Sequence, residues 1–287
     1  MSASHVYTYE SATGMIRFAL DTPFWISDIA GKSSVDISLS TVVGSGQVGA
    51  SVISQSVKPR SFTVDGAIFE PLGANRTRLL GAMAPQQPGV LKTTVDGTEW
   101  YLDVIPERTP DVSEGIGAQL FQLRLFAGYP YWRTTGTFRR QLTGLTPLFM
   151  FPFNTAGTFY ISSHGDNYFA QIHNSGNVPI DFRVIFRAHK TVENPELYHM
   201  GTGQKIKVNK VMMPGENVTV STIFGQKGVT VMGAGRELEN GFRYLSTDSD
   251  LRMALLPGEN LLRIDALTGR DGLGVEIEAP EGVRSGI

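Results

Sequence analysis

An alternation of apolar and polar residues runs through most of the chain and predicts β-strands that bury one face. The pattern is clearest between Leu91 and Trp132. There, Asp96-Gly97 separates two alternating runs, as expected for a two-residue hairpin turn in which both residues have positive φ. Pro130 has no N–H to donate to a sheet, so we expect a strand to end before it. The pattern predicts one β-domain before this point and another after it.

The first half of the chain contains further alternating runs. Residues 15–20 and 35–41 are predicted as half-buried strands, and the apolar residues 23–26 are expected to join the same core. Residues 61–70 alternate as well, and Asp65-Gly66 within them predicts a second tight turn. These runs together favour a sheet built from short, hairpin-connected strands.

One segment of the first half favours a helix over a strand. Asn75 to Met83 contains an apolar stripe of Leu79, Leu80 and Met83, and Pro85 follows it. Asn75 is a residue type that caps free N–H groups at a helix start. A helix this short is marginal alone in water, so we expect it to lie against the sheets.

A glycine-rich segment between two predicted strands allows two interpretations. Residues Val43, Gly44, Ser45, Gly46, Gln47, Val48 and Gly49 contain a literal match to the G-x-G-x-x-G dinucleotide fingerprint. That chemistry requires a helix to follow, so that its N-terminus faces the pyrophosphate. The residues that follow, 50–57, are instead β-branched and serine-rich. We therefore predict the tip of a long hairpin and not a nucleotide site.

The second half of the chain predicts an antiparallel sandwich. Short strands are expected at residues 159–161, 168–172, 182–187, 205–210, 218–224, 261–266 and 274–278. The sequence Pro-Gly-Glu-Asn occurs twice, at 214–217 and at 257–260. Proline followed by glycine suits the central positions of a type II turn. We interpret the two copies as equivalent corners of one sandwich.

Composition narrows the possible functions. The chain has 287 residues, of which 41% are hydrophobic and 18% charged, and its net charge is -2. This balance gives no general electrostatic reason to bind nucleic acid or an anionic membrane. No apolar run reaches membrane-spanning length, and no secretory signal is recognisable, so we expect no membrane insertion. The absence of cysteine excludes disulfides, thiolate catalysis and cysteine-ligated metal.

Candidate catalytic or metal-binding chemistry is sparse. His164 and Asp166, with His173 nearby, form the most metal-like group, but a turn with a surface histidine is the commoner outcome. Glu237 and Glu239 lie in a glycine-rich stretch where carboxylates are usually solvated. We predict no catalytic residues, no cofactor and no metal site, and therefore no enzyme.

A set of elements and short sequences distributed from roughly Ser61 to the C-terminus forms a recognisable pattern. It consists of the helix at 75–83, the hairpin 91–105, the strand 121–126, Pro130-Tyr131-Trp132, residues 174–177, 182–186, 193–195 and 202–203, and Leu256-Pro257-Gly258-Glu259-Asn260. In this pattern the chain resembles the distal tail proteins (Dit) of siphoviruses, the siphovirus tail component family.

The resemblance implies two β-domains. The N-terminal domain, residues 1–133, would be a ring-forming β-barrel or sandwich, similar to tail-tube proteins, with one short helix and an extended hairpin. The C-terminal domain, residues 134–287, would be a galectin-like antiparallel β-sandwich. Residues 43–49 match the position of the hairpin that reaches a neighbouring subunit.

The resemblance also implies a structural virion protein in the tail tip or baseplate, assembled in the host cytoplasm. Six copies would form a ring that joins the tail tube protein to a tip or hub protein. The C-terminal domain would offer a docking platform to receptor-binding or accessory baseplate proteins.

A carbohydrate-binding adsorption protein is the alternative function. The nearest candidates for a sugar site are Trp132, Tyr168, His173 and Asn174, because such a site needs an exposed aromatic ring beside directional polar groups. The residue pattern of true galectins is not recognisable, so we expect no sugar binding by this domain.

Overall fold

A computed structural model describes residues 6–143, 145–147, 162–164 and 168–287 of the chain. It is mainly β, with antiparallel sheets and one α-helix in the described residues, which confirms the predicted fold class. The chain divides into two compact units, one of residues up to Thr135 together with Val283–Ile287, the other of Gly136–Gly282. The last five residues, predicted with the C-terminal domain, thus lie in the first unit, where Val283 is buried.

The first unit is built around one large antiparallel sheet. The strands of this unit are β1 (Tyr7–Ser11), β2 (Gly14–Phe18), β3 (Phe24–Ala30), β4 (Ile37–Val42), β5 (Ser51–Val57), β6 (Arg60–Phe69), β7 (Gly89–Val95), β8 (Thr98–Pro106), β9 (Asp111–Val112), β10 (Ala118–Ala127) and β11 (Trp132–Thr134). The strand order β2-β1-β7-β8-β10-β6-β3 has two ends, so this sheet is open and not a closed barrel. Inward-facing residues of these strands, among them Tyr9, Phe24 and Phe121, form its core.

The helix α1 (Leu72–Ala82) is present but begins earlier than predicted. Asn75 lies inside the helix and does not cap it; its side-chain nitrogen donates to the carbonyl of Phe69 at 2.8 Å. The carboxylate of Glu70 accepts instead from the N–H of Leu72 at 3.0 Å. Leu79 is fully buried, as the apolar stripe predicts, so the helix is held by its contact with the sheets.

The two Asp-Gly pairs have different roles. Asp96 and Gly97 have φ values of 51° and 78° and connect β7 to β8, which confirms the predicted tight turn. The turn predicted at Asp65-Gly66 is wrong, because β6 continues through both residues. A Cβ atom on Gly66 would lie 2.2 Å from the carbonyl oxygen of Trp25 and 2.4 Å from the ring of Phe121. Gly66 therefore allows neighbouring strands to approach closely and does not form a turn.

The second unit contains two larger sheets. Its strands are β12 (Thr137–Thr143), β13 (Leu145–Pro147), β14 (Ser162–His164), β15 (Phe169–Asn174), β16 (Arg183–Ala188), β17 (Val192–Glu193), β18 (Glu196–His199), β19 (Lys205–Lys207), β20 (Val211–Met212), β21 (Asn217–Ser221), β22 (Gly228–Met232), β23 (Leu238–Asn240), β24 (Gly258–Asp265) and β25 (Leu273–Pro280), and β26 (Val283–Arg284) returns to the first unit. Six strands form the sheet β12-β25-β16-β21-β22-β23, and four form β15-β24-β18-β19. Each sheet buries one face, as expected for a sandwich.

Predicted and observed strands of the second unit agree in most places. The predicted strand at 159–161 lies outside the described residues. In the two Pro-Gly-Glu-Asn sequences, Gly215 and Gly258 have φ values of 89° and 88°, as a type II turn requires at its third residue. Short 3-10 helices lie at Phe242–Tyr244 and Arg270–Gly272.

Two carboxylates fix an exposed loop of the second unit. Asp250 accepts from Arg252 Nε at 3.0 Å and from Gln204 Nε2 at 2.9 Å, while Asp248 pairs with Lys205. The hydrogen bond from Arg252 lowers the pKa of Asp250 from 3.8 to about 2. The hydrogen bond from Lys205 does the same for Asp248, whose pKa is also about 2.

We expect the second unit to lose stability as the pH falls from about 4 to about 2. Since both folded-state pKa values lie below 3.8, the stabilisation is complete above the unfolded pKa and disappears as the pH falls through about 2. Thermal unfolding of the full chain and of Asp250→Asn at several pH values measures this. The difference in Tm between the two proteins should shrink towards low pH, and a constant difference would contradict the assignment.

Candidate assembly interface

A two-stranded hairpin of β4 and β5 stands apart from the large sheet of the first unit. The two strands pair only with each other among the described strands. Every residue from Asp36 to Pro59 is exposed. An isolated two-stranded hairpin is marginally stable in water, so this one is expected to gain stability from a partner.

The hairpin has two chemically different faces. Register places Ile37 opposite Val57 and Thr41 opposite Val52, with Leu39 between them on the same side, and we name this the apolar face (Ile37, Leu39, Thr41, Val52, Gln55 and Val57). The other side pairs Ser38 with Ser56 and Ser40 with Ser54, and we name it the serine face. A register shift beside Thr41 leaves Ile53 as the extra residue of a bulge. Leu39 is 57% exposed, so the apolar face has no covering in the single chain.

The hairpin contains no charged residue. From Ile37 to Val57 there is no Asp, Glu, Lys or Arg, although 18% of the whole chain is charged. Exposed strand edges in soluble proteins are usually protected from pairing by charged side chains. An uncharged, apolar and exposed hairpin is therefore a surface that loses little by desolvation when another protein covers it.

The tip of the hairpin, residues 43–49, has a defined conformation. Gly46 and Gly49 have φ values of 75° and 80°. The side chain of Gln47 accepts from the N–H of Gly44 at 2.9 Å and donates to Ser51 Oγ at 2.9 Å. Val48 is fully exposed at the end. Because a strand and not a helix follows, the hairpin interpretation of the G-x-G-x-x-G match is confirmed.

The base of the hairpin is anchored to the core of the first unit. Arg60, the first residue of β6, is buried and donates to the carbonyls of Lys32, at 2.9 Å, and of Ser285. Burial lowers the pKa of its guanidinium to about 10, so it stays a cation at neutral pH. Trp132 Nε1 donates to the same Lys32 carbonyl at 3.2 Å. These bonds fix the direction in which the hairpin leaves the unit.

The sequence pattern predicted the wrong burial for the strand that leads into the tip. Residues 35–41 alternate as predicted, but the expectation that they are half-buried is wrong, because Ile37 and Leu39 are exposed. Alternation reports which side chains share a face and not what covers that face. The missing signal was the uncharged composition of residues 37–57.

The predicted metal-like group lies partly outside the described residues. His164 ends β14, and Asp166 lies outside the described residues. His173 Nδ1 lies 2.8 Å from the carboxylate of Glu259. Within the described part of the chain, no three His, Cys, Asp or Glu residues are placed to hold a metal ion.

Two of the residues proposed for a sugar site, Trp132 and Asn174, are buried. Trp132 is fully buried in the first unit. The ring of Tyr168, in the second unit, lies 3.6 Å from the guanidinium of Arg270. Asn174 is buried and donates to the carbonyls of Val178 and Leu255 at 3.0 and 2.9 Å. These side chains do not form one exposed aromatic platform with polar neighbours.

Comparison with known proteins gives similarity in structure only. No family model and no curated protein sequence matches the chain. The distal tail protein Dit of phage SPP1, a paradigm of the hub adsorption apparatus in Gram-positive-infecting phages, has a TM-score of 0.66 and 12% identity over 96% of this chain and 98% of that one. The chain has the Dit fold. A chain of the phage P2 baseplate, in its activated conformation with calcium, is similar at a TM-score of 0.47 and 10% identity, over 96% and 97%.

The Dit fold confirms the family resemblance at the level of structure. It spans both units, although the residue likeness was seen only from about Ser61. The part of the chain before Ser61, which includes the hairpin, therefore belongs to the same fold. No helix among the described residues is long and apolar enough to cross a membrane.

Proposed function

We propose that this chain is a non-enzymatic structural protein at the distal end of a long phage tail. Six copies form a ring that joins the tail tube protein to a tip or hub protein. The observation that supports this most directly is the uncharged, exposed hairpin at residues 37–57, in a chain with the Dit fold. A subunit with such an exposed apolar surface gains stability when another subunit covers it.

A contact made by the hairpin supports the proposal of a ring. A hairpin that leaves its own unit and packs on a different surface of the next copy makes a heterologous contact. Such contacts close into rings when the rotation between copies allows it. The tip, Val43 to Gly49, reaches farthest along the hairpin and is assigned to this subunit interface.

The second unit supplies the outward-facing platform in this proposal. Its two sheets form a sandwich that is complete without the hairpin. Receptor-binding or accessory baseplate proteins dock there, and the protein is located in the virion tail tip after assembly in the host cytoplasm. The support for these partners is the likeness to a phage hub protein.

A charge on the apolar face is expected to prevent assembly. Leu39→Asp places a carboxylate in the centre of that face, and burying it without a partner costs several kcal/mol. We expect the concentration needed for ring formation to rise roughly 100-fold or more, which corresponds to about 2.7 kcal/mol. Light scattering and electron microscopy of the full chain measure this, at high protein concentration and in assembled tails.

Ser40→Asp is the matched control, because its side chain lies on the serine face one residue away. Both positions are exposed in the single chain, so both variants should unfold at the unsubstituted chain's temperature. Equal assembly of both variants would show that the apolar face is not the interface. Absence of rings from the unsubstituted chain, both alone and in tail particles, would refute the proposed function.

A further inference from the structure

A second uncovered apolar surface lies on the outer side of the large sheet in the first unit. Trp25, Phe69 and Leu120 are exposed there, Leu120 to 66%, and we name these three residues the outer patch. They come from three neighbouring strands, β3, β6 and β10. The alternation along these strands does not predict the patch, since outward-facing positions are expected to be polar.

Strand register shows that the outer patch is continuous. Ala67 lies directly opposite Trp25 on one side and Leu120 on the other, so the three side chains share one face. Phe69 follows Ala67 by two residues and lies on the same face. Ala67 is only 5% exposed, which shows that its larger neighbours close over it. The opposite face of these strands packs into the core.

We propose that the apolar face of the hairpin from one copy packs on the outer patch of the next copy. This inference rests on the proposed ring and identifies the receiving surface of its subunit contact. The contact is heterologous: each chain inserts one hairpin and receives one. Every copy then has its apolar face and its outer patch buried, and a closed ring leaves neither of these two surfaces exposed.

The dimensions of the two surfaces agree. The strands of the hairpin have six and seven residues, so each is about 20 Å long, and paired strands lie about 5 Å apart. The outer patch crosses three strands, a width of about 10 Å. Laid across the three strands, the hairpin is long enough to cover the width of the patch and to extend past it.

The chemistry of the two surfaces also agrees. The apolar face contains Ile37, Leu39, Val52 and Val57 and no charge, and the outer patch consists of three apolar side chains. Burial of apolar surface contributes about 25 cal/mol per Å², and none of these side chains is charged. The nearest charge on the receiving face is the carboxylate of Asp65, two residues before Ala67, which accepts from Gln122 Nε2 at 2.9 Å. A partner of different sequence is a weaker explanation, because it would cover one of the two surfaces and leave the other exposed.

Cysteine cross-linking tests the contact directly, because the chain has no native cysteine. Two full-length chains, Leu39→Cys and Leu120→Cys, are mixed and oxidised at concentrations where rings are present. A disulfide requires the two Cβ atoms to lie within about 3.5–4.5 Å, so only residues in contact react. We expect a cross-linked dimer from the mixture and none from either chain alone. Val57→Cys with Phe69→Cys gives a second, independent pair.

The control mixture replaces Leu39→Cys with Ser40→Cys, which places the thiol on the serine face. We expect at least five-fold less cross-linking from it. Dimers from Leu39→Cys alone would show that two hairpins pair with each other and would overturn the inference. Rings without cross-linking in either test pair would also overturn it, while the proposed function would stand. Absence of rings would refute both.

Discussion

Asn260→Ala is expected to lower the free energy of unfolding by about 4 kcal/mol, because the amide satisfies several buried groups at once. Asn260 is fully buried, and its Nδ2 donates to the carbonyls of Leu256 at 2.8 Å and Gly258 at 3.0 Å. Its Oδ1 accepts from the N–H of Leu256 at 2.7 Å and lies 2.9 Å from His199 Nε2. Alanine leaves these groups buried without partners and opens a small cavity.

Asn217→Ala provides the matched control, since Asn217 occupies the same place in the other Pro-Gly-Glu-Asn sequence. It is partly exposed, and its side chain has no hydrogen bond within the described residues. We expect its effect to stay within about 0.5 kcal/mol, as for ordinary surface positions. Chemical denaturation of both full-length variants measures the difference. A loss of similar size in the two variants would contradict the special role of Asn260.

The two four-residue sequences are identical, yet they have different structural roles. In both, glycine at the third turn position has positive φ, and this much follows from the sequence. The partners of Asn260 include His199 on a different strand, which no local pattern indicates. His199 Nδ1 in turn lies 3.2 Å from the N–H of Gly201. Buried polar networks of this kind depend on which strands meet, and a single sequence does not report that.

Fold class was predictable because alternation survives wherever one face of a sheet is buried. The turn at Asp96-Gly97 was predictable because two positive φ values are needed there. The prediction of a turn at Asp65-Gly66 was wrong because glycine also occurs where two strands approach closely. The helix start failed because Glu70, one residue before Pro71, supplies the oxygen that Asn75 was expected to supply. The first failure concerns a tertiary contact, and the second concerns a local hydrogen bond that two acceptor side chains could have supplied.

The candidate interface was only partly predictable. The tip at residues 43–49 could be placed between two strands from its glycines and from the β-branched residues after it. The flanking strands were expected to pack on the core, since an apolar face within one chain normally does. The structure shows that this face is exposed in the single chain, and the outer patch that we propose as its receiving surface is formed by three strands distant in sequence. A strand face that is buried against another copy shows the same alternation of apolar and polar residues as a strand face that is buried within one chain.

Gly66→Ala should destabilise the first unit by about 3 kcal/mol or more. The added Cβ would meet the Trp25 carbonyl at 2.2 Å and the Phe121 ring at 2.4 Å, and a backbone carbonyl in a paired strand cannot move aside easily. Forcing extra atoms into a packed region typically costs 1–3 kcal/mol, and a clash with backbone lies at or above that limit. Since β6 also supports the outer patch, we expect weaker assembly as well. Denaturant unfolding and light scattering measure the two effects.

Gly81→Ala separates this steric effect from a general effect of removing glycine. Gly81 lies in α1, and a Cβ atom there would have no neighbour within 4 Å. Alanine is favoured over glycine in a helix by up to about 1 kcal/mol, so this variant should be as stable as the unsubstituted chain or more so. If Gly66→Ala were equally well tolerated, strands β3 and β10 would have room to move away from β6. The close approach that explains Gly66 would then not be required by the fold.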